Sequence, residues 1–458
     1  MTPLDYLKLI SIFGFVSRLL SVKNQIQTIH MKTKTLFLGV ATLLLLIGSS
    51  VSAQQIRDPY IEAQLQENRG RASVNTHSYE FKPTYDTPAP KGFKPVYISH
   101  YGRHGSRSNW GAQGYLVVIN ALEKADQAGI LTADGKIFLR ESKEIYAQHN
   151  GMDGRLTQRG VDEHRMLAER MYKRYPAVFK KQSKKIRSIA STVPRCLISM
   201  VGFTDRLTEL QKDLDIRWDT GETYMLYINN ASPDTVNRAS RPLLSQLNTN
   251  NYQPDTTFFY NRIFTDQVKA RQIAGPAARL QSSALAIACM GESFYVDNDM
   301  FRFFPFDAVY SYYERNAMSL YLQHSNSVEL GKEAVEVAKP LVEDIVAKAD
   351  EALASGEWCA DLRFGHDYPI LTLFGYLGLE GAGDRRTMQD ARYKWFATDF
   401  VPFAANLQMI FYRNKAGETL VKFLVNEKET LIRGLAPVTG PYYKWETVKN
   451  NTEGYLRY

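Results

Sequence analysis

Residues 103–107 combine two permanent cations with a histidine in a flexible turn. The segment reads Arg103-His104-Gly105-Ser106-Arg107 and follows a short β-favouring run at residues 95–98. A neutral imidazole is a good nucleophile near neutral pH, and guanidinium groups carry fixed N–H donors that match phosphate oxygens. Glycine at position 105 lets the backbone approach an anion closely. The pattern predicts that His104 attacks a phosphate that Arg103 and Arg107 hold, although the segment in isolation is also typical of a basic surface turn.

Two further segments carry side chains suited to the same chemistry. Arg195 ends the sequence Ser-Thr-Val-Pro-Arg after a predicted strand, and His366-Asp367 lies between a predicted strand and a predicted helix. A second histidine can donate to a phosphate oxygen, and a neighbouring carboxylic acid can protonate a leaving alkoxide. Ligands of α/β proteins bind at the carboxyl ends of strands. These positions therefore favour one phosphate-binding site assembled from distant parts of the chain.

The elements around these segments alternate between strands and helices. Strands are predicted at 96–100, 186–192 and 361–364, helices at 158–174, 195–210 and 368–379, and a hairpin at 407–412 and 420–426. Thr157 is the predicted N-cap of the helix at 158–174. The pattern predicts an α/β fold with a mixed, mostly parallel sheet flanked by helices.

The 458-residue chain is longer than one ordinary core requires. An extended lead-in is predicted at 54–90, an α/β catalytic core at 91–209 and 356–458, and an inserted, mainly helical cap at 210–355. Helices at 309–322 and 333–353 are predicted within the cap. The geometry of the cap would decide the substrate specificity.

Residues 1–53 have the properties of a leader that contains an export signal. A basic segment starts at Met31, an apolar run covers 36–47, and small residues precede Gln54. The apolar run is shorter than the roughly 20 residues of a spanning helix. A signal peptide at 31–53 predicts a periplasmic or secreted protein without a stable membrane anchor after cleavage. Residues 1–30 would be an upstream extension or an unusual n-region, and an uncleaved amphipathic anchor is the alternative.

Charge and cysteine content restrict the partners. The net charge is +8, and removal of residues 1–53, with five cations and one acid, lowers it to +4. This mild excess suits a small anionic substrate and does not indicate nucleic-acid binding. Three widely spaced cysteines form neither a disulfide framework nor a zinc motif. No metal or cofactor is expected, and His149, His164 and His324 are predicted to be surface or capping residues.

The motifs occur together and in the order seen in a known family. The matching pieces are Arg103-His104-Gly105-Ser106-Arg107, Leu156-Thr157-Gln158-Arg159-Gly160, Arg195 and His366-Asp367. Over residues 90–430 the chain resembles the histidine phosphatase superfamily, in its histidine acid phosphatase branch. The resemblance implies that His104 is the nucleophile and that Arg103, Arg107, Arg195 and His366 bind the phosphate. It also implies that Asp367 protonates the leaving group and then activates water.

Segments near the C-terminus narrow this resemblance. Residues 362–366, 401–407 and 424–428 look like those of multiple inositol polyphosphate phosphatases. That subgroup usually carries His-Ala-Glu, whereas this chain has His366-Asp367, as in the acid phosphatases and phytases of the branch. Asn109 replaces the proline that usually ends the arginine–histidine motif. The departures leave positional specificity and the preference for phytate open.

The sequence therefore predicts an exported phosphomonoesterase that works through a phosphohistidine, with inositol polyphosphates such as phytate as substrates. A broad-specificity acid phosphatase or sugar-phosphate phosphatase is the first alternative. A phosphoglycerate mutase-like transferase is a second, against which the cap, the export signal and the His366-Asp367 pair argue. A non-catalytic protein that binds phosphate esters is the third. Such a protein would lack the nucleophile or the acid.

Overall fold

A mixed sheet forms the centre of the molecule. The computed structural model describes residues 57–180, 183–249 and 255–451, and the predicted leader lies outside these ranges. The strands are β1 (Lys94–Arg103), β2 (Lys185–Ala190), β3 (Asp215–Thr220), β4 (Trp358–Gly365), β5 (Asn406–Arg413), β6 (Thr419–Val425), β7 (Lys428–Thr430) and β8 (Tyr443–Lys444). Across the sheet they follow the order β3-β2-β4-β1-β5-β6-β7, and β8 pairs with β6.

Four neighbouring strands are parallel, and the remainder of the sheet is antiparallel. β3, β2, β4 and β1 run in one direction, and β5 reverses beside β1. Every residue of β4 is buried, as expected for a strand covered on both faces. The predicted hairpin is confirmed, because β5 and β6 pair antiparallel around a turn in which Gly417 has a φ of 87°. The parallel strands place the ends of β1, β2 and β4 at one edge of the sheet.

Helices cover both faces of the sheet and fill the insertion between β3 and β4. They are α1 (Pro59–Glu67), α2 (Gln113–Gln127), α3 (Ala133–His149), α4 (Gln158–Arg174), α5 (Pro176–Phe179), α6 (Pro194–Leu210), α7 (Glu222–Ile228), α8 (Asp234–Thr249), α9 (Thr256–Ile263), α10 (Gln267–Ala274), α11 (Ala277–Ala288), α12 (Phe306–His324), α13 (Gly331–Glu336), α14 (Lys339–Ser355), α15 (Asp367–Leu377), α16 (Met388–Lys394) and α17 (Trp445–Lys449). Within the described ranges, no helix is long and apolar enough to cross a membrane.

Alternate residues of β1 face two different apolar clusters. Ile98 packs in one cluster with Leu167 of α4 and Phe203 of α6. Tyr97 belongs to the other cluster, which contains Ile345 of α14. Successive side chains of a strand point to opposite faces, so β1 is covered by helices on both sides. The predicted α/β class is confirmed.

Some predicted boundaries differ from the structure. The lead-in, expected to be extended, forms α1 and a 3₁₀ segment at Arg69–Thr76, because Asp58 caps α1 through its side chain and the apolar residues Ile61 and Leu65 become buried. β3 lies inside the range assigned to the cap but pairs with β2 in the sheet. The helix expected at 333–353 is two helices, α13 and α14, with Pro340 in the first turn of the second.

Candidate active site

The register between β1 and β4 brings two of the predicted site residues together. Arg103 pairs with Gly365 at the carboxyl ends of these parallel strands. The backbone N–H of His104 then donates to the carbonyl of Gly365 at 2.9 Å, and the rings of His104 and His366 lie 5.6 Å apart between centroids. The two histidines, 262 positions apart in the sequence, thus form one site at the sheet edge where α/β folds bind ligands.

The segment 103–107 rests on the start of α4. Thr157 caps this helix as predicted, accepting from the Gly160 N–H, and its hydroxyl donates to the Ser106 carbonyl at 3.1 Å. Gly160 lies so close to the loop that a Cβ there would come within 2.3 Å of the Ser106 oxygen. Close backbone contact explains why Leu156-Thr157-Gln158-Arg159-Gly160 accompanies the arginine–histidine segment. The first turn of α4 forms the floor of the site.

Glu163, one turn further along α4, holds the loop through hydrogen bonds. Its carboxylate accepts from the backbone N–H and the hydroxyl of Ser106, both at 2.7 Å. It also accepts from the backbone N–H of Tyr79 at 2.9 Å. Glu163 is 2% exposed, and burial raises its pKa. Sequence analysis missed this residue, although its position three residues after Gly160 on the buried face of α4 was visible in the helical pattern.

One ring nitrogen of His104 is fixed by the backbone. Nδ1 lies 2.9 Å from the carbonyl oxygen of Gly105. A carbonyl can only accept, so Nδ1 carries the proton and Nε2 keeps its lone pair. Burial and the positive charges of Arg103 and Arg195 hold the pKa of His104 well below 6.5. The imidazole is therefore neutral and able to act as a nucleophile.

Three buried guanidinium groups surround His104. Arg103, Arg107 and Arg195 are between 0% and 7% exposed. In the described part of the chain, the Nε atom of each has no hydrogen-bond partner. Burial and the charge of Arg103 lower the pKa of Arg107 to about 10. Buried donors are normally satisfied. Unpaired buried donors on three neighbouring cations are therefore typical of an anion-binding site.

Asp367, the first residue of α15, offsets part of that charge. Its Oδ2 atom accepts from Arg103 at 3.0 Å and from the Asn75 amide at 2.8 Å. Burial favours the neutral acid, but the charge of Arg103 and the Asn75 hydrogen bond outweigh it and lower the pKa of Asp367 to about 2. The carboxyl group is therefore ionised when no substrate is bound.

The ring nitrogens of His366 contact Arg195 and Ser191, and Nε2 also lies 3.5 Å from Sγ of Cys196. Arg195 lies 3.3 Å from its Nδ1 atom, and the Ser191 hydroxyl lies 2.9 Å from Nε2. Arginine can only donate, so in this arrangement Nδ1 accepts and Nε2 donates to Ser191. Burial and the charge of Arg195 lower the pKa of His366 to about 3. Donation from Nδ1 to a phosphate would require a proton that His366 does not carry here.

Trp110 covers two of the three arginines and was not anticipated as a site residue. Its ring lies 4.0 Å from Cζ of Arg107 and 4.7 Å from Cζ of Arg195, although the residue is 64% exposed. Gly154, with a φ of 61°, lies beside the ring in a neighbouring loop, and its backbone N–H donates to the Asn109 carbonyl at 2.7 Å. An aromatic residue three positions after Arg107 was the signal available in the sequence.

Three histidines predicted to be surface or capping residues are buried, two of them, His149 and His324, at the last position of a helix. His149 and His164 are 0% exposed, and His324 is 3% exposed. His164 lies on the inner face of α4 beside Phe364, and His324 ends α12 with its ring stacked at 3.8 Å on Tyr368. Their helices turn these positions toward the core, where aromatic rings surround the imidazoles. The three cysteines are also buried and none is joined in a disulfide.

The fold and the arrangement of these groups agree with the family that the sequence resembles. The profile of the histidine phosphatase superfamily (branch 2) matches residues 102–426. The chain belongs to this superfamily. It is an enzyme of the histidine acid phosphatase class, a phosphoric monoester hydrolase.

Solved structures with the same fold are distant in sequence. A multiple inositol polyphosphate phosphatase from Bifidobacterium longum, solved with phosphate, has a TM-score of 0.66 at 17% identity, covering 84% of this chain and 99% of its own. A phytase from D. castellii has a TM-score of 0.64 at 14% identity, covering 87% of both chains. A Hafnia alvei phytase bound to myo-inositol hexakis sulphate has a TM-score of 0.51 at 14% identity, covering 81% of this chain and 100% of its own. No curated protein sequence matches the chain significantly.

Proposed function

We propose that the protein is an exported phosphomonoesterase that hydrolyses inositol polyphosphates through a phosphohistidine at His104. The observation that carries the proposal is the neutral imidazole of His104 among the buried guanidinium groups of Arg103, Arg107 and Arg195. Phosphoryl transfer to a histidine requires an unprotonated ring nitrogen, and fixed cations stabilise the charge on the phosphoryl oxygens.

The first step transfers the phosphoryl group to the enzyme. The lone pair on Nε2 of His104 attacks phosphorus, the P–O bond to the alcohol breaks, and Asp367 gives its proton to the departing alkoxide. Arg103, Arg107 and Arg195 hold the charge that develops on the phosphoryl oxygens. In the second step water attacks phosphorus, the P–N bond breaks and Asp367 takes the proton from water.

Asp367 must gain a proton before it can act as an acid. Arg103 and Asn75 keep the carboxylate ionised when no substrate is bound. A phosphate monoester near its second pKa of about 6 still carries one proton in part of the population. When the ester binds, its negative charge offsets the arginines and raises the pKa of Asp367, so that the proton of the monoanion can move to the carboxyl group.

Inositol polyphosphates are the proposed substrate class because of two lines of support. Residues 362–366, 401–407 and 424–428 look like those of multiple inositol polyphosphate phosphatases. The fold is also shared with an enzyme of that name solved with inositol hexasulfate. We further propose the predicted division into an α/β core and an inserted helical cap, with β3 as part of the core. Export by the signal at 31–53 is also proposed, and it would put the mature protein in the periplasm or outside the cell.

The test is phosphate release by the full chain from inositol hexakisphosphate, glucose 1-phosphate and p-nitrophenyl phosphate. His104→Ala should abolish release from all three, and no labelled phosphate should remain on the variant after a rapid quench. Asp367→Asn should cost about 10²–10⁴ in kcat on glucose 1-phosphate. Its effect on p-nitrophenyl phosphate should be smaller, because nitrophenolate leaves without a proton.

The outcomes separate the alternatives. Phosphate release from the two small esters but not from inositol hexakisphosphate would agree with the proposed mechanism. It would favour a broad-specificity acid phosphatase or a sugar-phosphate phosphatase over an inositol polyphosphate phosphatase. Tight phosphate binding without turnover would favour a non-catalytic phosphate-ester-binding protein. Release that persists in His104→Ala would contradict the proposed nucleophile.

A further inference from the structure

The 3₁₀ segment of the lead-in places a side chain against the proposed acid. Asn75 lies in Arg69–Thr76, and its amide nitrogen donates to Oδ2 of Asp367 at 2.8 Å. The backbone carbonyl oxygen of Asn75 also accepts a hydrogen bond from Arg103 at 2.5 Å. Asn75 thus contacts both the carboxyl group and the cation that neutralises it, from a position 292 residues away in the sequence.

The backbone next to Asn75 adopts a conformation that its residue type avoids. Val74 has a φ of 53° and a ψ of −107° and is 0% exposed. A β-branched residue rarely adopts a positive φ, and such strain persists only where the surroundings enforce it. Strained residues cluster at active sites, and here the strained residue directly precedes the one that contacts Asp367.

Hydrogen bonds on both sides keep this segment in place. The His77 N–H donates to the Val74 carbonyl at 3.2 Å, and the Phe403 N–H donates to the His77 carbonyl at 2.8 Å. The Thr398 hydroxyl donates to the Arg71 carbonyl at 2.8 Å. The His77 ring lies between the carboxylates of Glu80 and Glu292 at 2.9 and 3.0 Å. The lead-in is therefore anchored to the core and to the insertion, which fixes the position of Asn75.

The charges around Asp367 come from several elements. Besides Asn75 and the Tyr368 N–H, which donates to Oδ1 at 3.1 Å, the titratable or charged groups that act on it are Arg103, Arg107, Arg195, His366, His324, Tyr101, Tyr368 and Cys196. The arginines can only donate. An amide can donate through nitrogen or, after a half-turn, accept through oxygen. Asn75 can therefore bond to Asp367 in both the ionised and the protonated state.

We propose that Asn75 is a positioning residue that holds the carboxyl group of Asp367 in line with the leaving oxygen in both protonation states. This inference rests on the proposed function, because it requires Asp367 to transfer the proton. Asn75 acts through Asp367 and takes no part in binding the phosphoryl group. It also makes the lead-in, which the sequence predicts to be extended, part of the candidate active site.

The test compares Asn75→Ala with Thr76→Ala in the full chain on two substrates. Thr76 is in the same 3₁₀ segment, and its hydroxyl donates locally to the Ser73 carbonyl. Asn75→Ala should lower kcat on glucose 1-phosphate about 10- to 100-fold, within the range of general acid catalysis. KM should change less than about twofold, and kcat on p-nitrophenyl phosphate less than about threefold, because binding and a good leaving group do not depend on the acid. Thr76→Ala should resemble the wild type on both.

The pH profile and two further variants complete the test. Loss of the amide donor should move the alkaline limb of the kcat profile for glucose 1-phosphate to higher pH. Asn75→Asp should move it further, because two adjacent carboxyl groups share a proton. Asn75→Ser, which keeps a donor and acceptor, should recover part of the glucose 1-phosphate activity and serves as the test variant if Asn75→Ala does not fold.

The results distinguish failure of the proposed function from failure of the inference about Asn75. A wild type that releases no phosphate from either ester would overturn the proposed function and this inference together. An active wild type with an equal loss on both esters in Asn75→Ala, or an unmoved alkaline limb, would overturn this inference alone. A selective loss on glucose 1-phosphate would support it.

Discussion

The two halves of the candidate site are built in different ways. The phosphate half, with Arg103, His104 and Arg107, rests on close backbone contacts at the ends of β1 and β4 and the first turn of α4, to which the Glu163 carboxylate adds hydrogen bonds with Ser106. The proton half, centred on Asp367, is held by side-chain hydrogen bonds, one of which comes from the lead-in. Close backbone packing leaves little freedom, whereas side-chain hydrogen bonds can adjust to a change in protonation. We infer that the first half holds a group common to all substrates and the second responds to the leaving group.

Loss of a phosphate ligand should affect all substrates alike. Arg195→Ala should lower kcat/KM about 10²–10³-fold, the usual effect of removing one preorganised donor. The factor should be the same for glucose 1-phosphate and p-nitrophenyl phosphate, in contrast to Asp367→Asn. Arg217→Ala, which removes an exposed arginine of β3, is the matched control in initial-rate assays. A loss of kcat/KM restricted to glucose 1-phosphate would place Arg195 in the proton half.

A methyl group on the floor should disturb the phosphate half through the backbone. Gly160→Ala places a Cβ within 2.3 Å of the Ser106 oxygen, and neither backbone can yield easily. We expect a loss of about 1–3 kcal/mol in the free energy of unfolding and about 100-fold in activity from displacement of the loop. Gly221→Ala is the control, since its nearest neighbour is 3.9 Å away. Denaturant titration and rate assays measure both effects, and a variant with unchanged activity would show that the floor is adaptable.

The pH dependence should distinguish the proton half. The pKa of Asp367 is about 2 without substrate, so above that pH the proton must arrive with the ester. The value of kcat/KM for glucose 1-phosphate should fall about tenfold per pH unit above the second phosphate pKa of about 6. The fall should be shallower for p-nitrophenyl phosphate. A value of kcat/KM for glucose 1-phosphate that still rises above pH 8 would contradict proton transfer from Asp367.

Trp110 should make a smaller contribution at the rim of the phosphate half. Cation–π contacts at exposed sites are each worth about 0.5–1 kcal/mol. Because Trp110 contacts both Arg107 and Arg195, Trp110→Ala should lower kcat/KM about 5- to 30-fold. The change should appear mainly in KM, because the ring orients guanidinium groups that bind the ester. Trp218→Ala, at an exposed tryptophan of β3, should leave KM unaltered. An equal effect of the two substitutions would remove Trp110 from the site.

The anchor of the lead-in at His77 should contribute to stability. Burial opposes a charge on His77, but Glu292 and Glu80 outweigh it and raise its pKa from 6.5 to about 9. The stabilisation is therefore complete below pH 6.5 and is lost as the pH rises through 9. His77→Gln should cost about 1–3 kcal/mol of stability in the lower range, and its melting temperature should approach that of the wild type near pH 10. Melting curves that stay parallel across this range would contradict a charged His77.

The main elements and the family could be predicted because the signals are local. Thr157 caps α4, the hairpin β5–β6 forms around its glycine turn, and the strands that precede His104 and His366 are short segments rich in apolar and aromatic residues. The element boundaries that differ between prediction and structure depend on partners elsewhere. β3 became a strand because β2 offered an edge, and the lead-in formed a helix because its apolar residues found a buried surface. The roles of the six predicted site residues remain predictions, although the structure gathers them at one edge of the sheet.

The sequence by itself determined the family and the chemical groups of the site, since a nucleophile, its cations and an acid must be present as side chains and their motifs are short. Only the tertiary structure decided which distant groups act on them. Asn75 reaches Asp367 across 292 positions, and Trp110 covers Arg195 through a loop, because hydrogen bonds and ring contacts depend on distances in space that no local pattern encodes. The ionised state of Asp367 was decided in the same way, since its pKa depends on how closely the fold packs a carboxylate, a guanidinium and an amide.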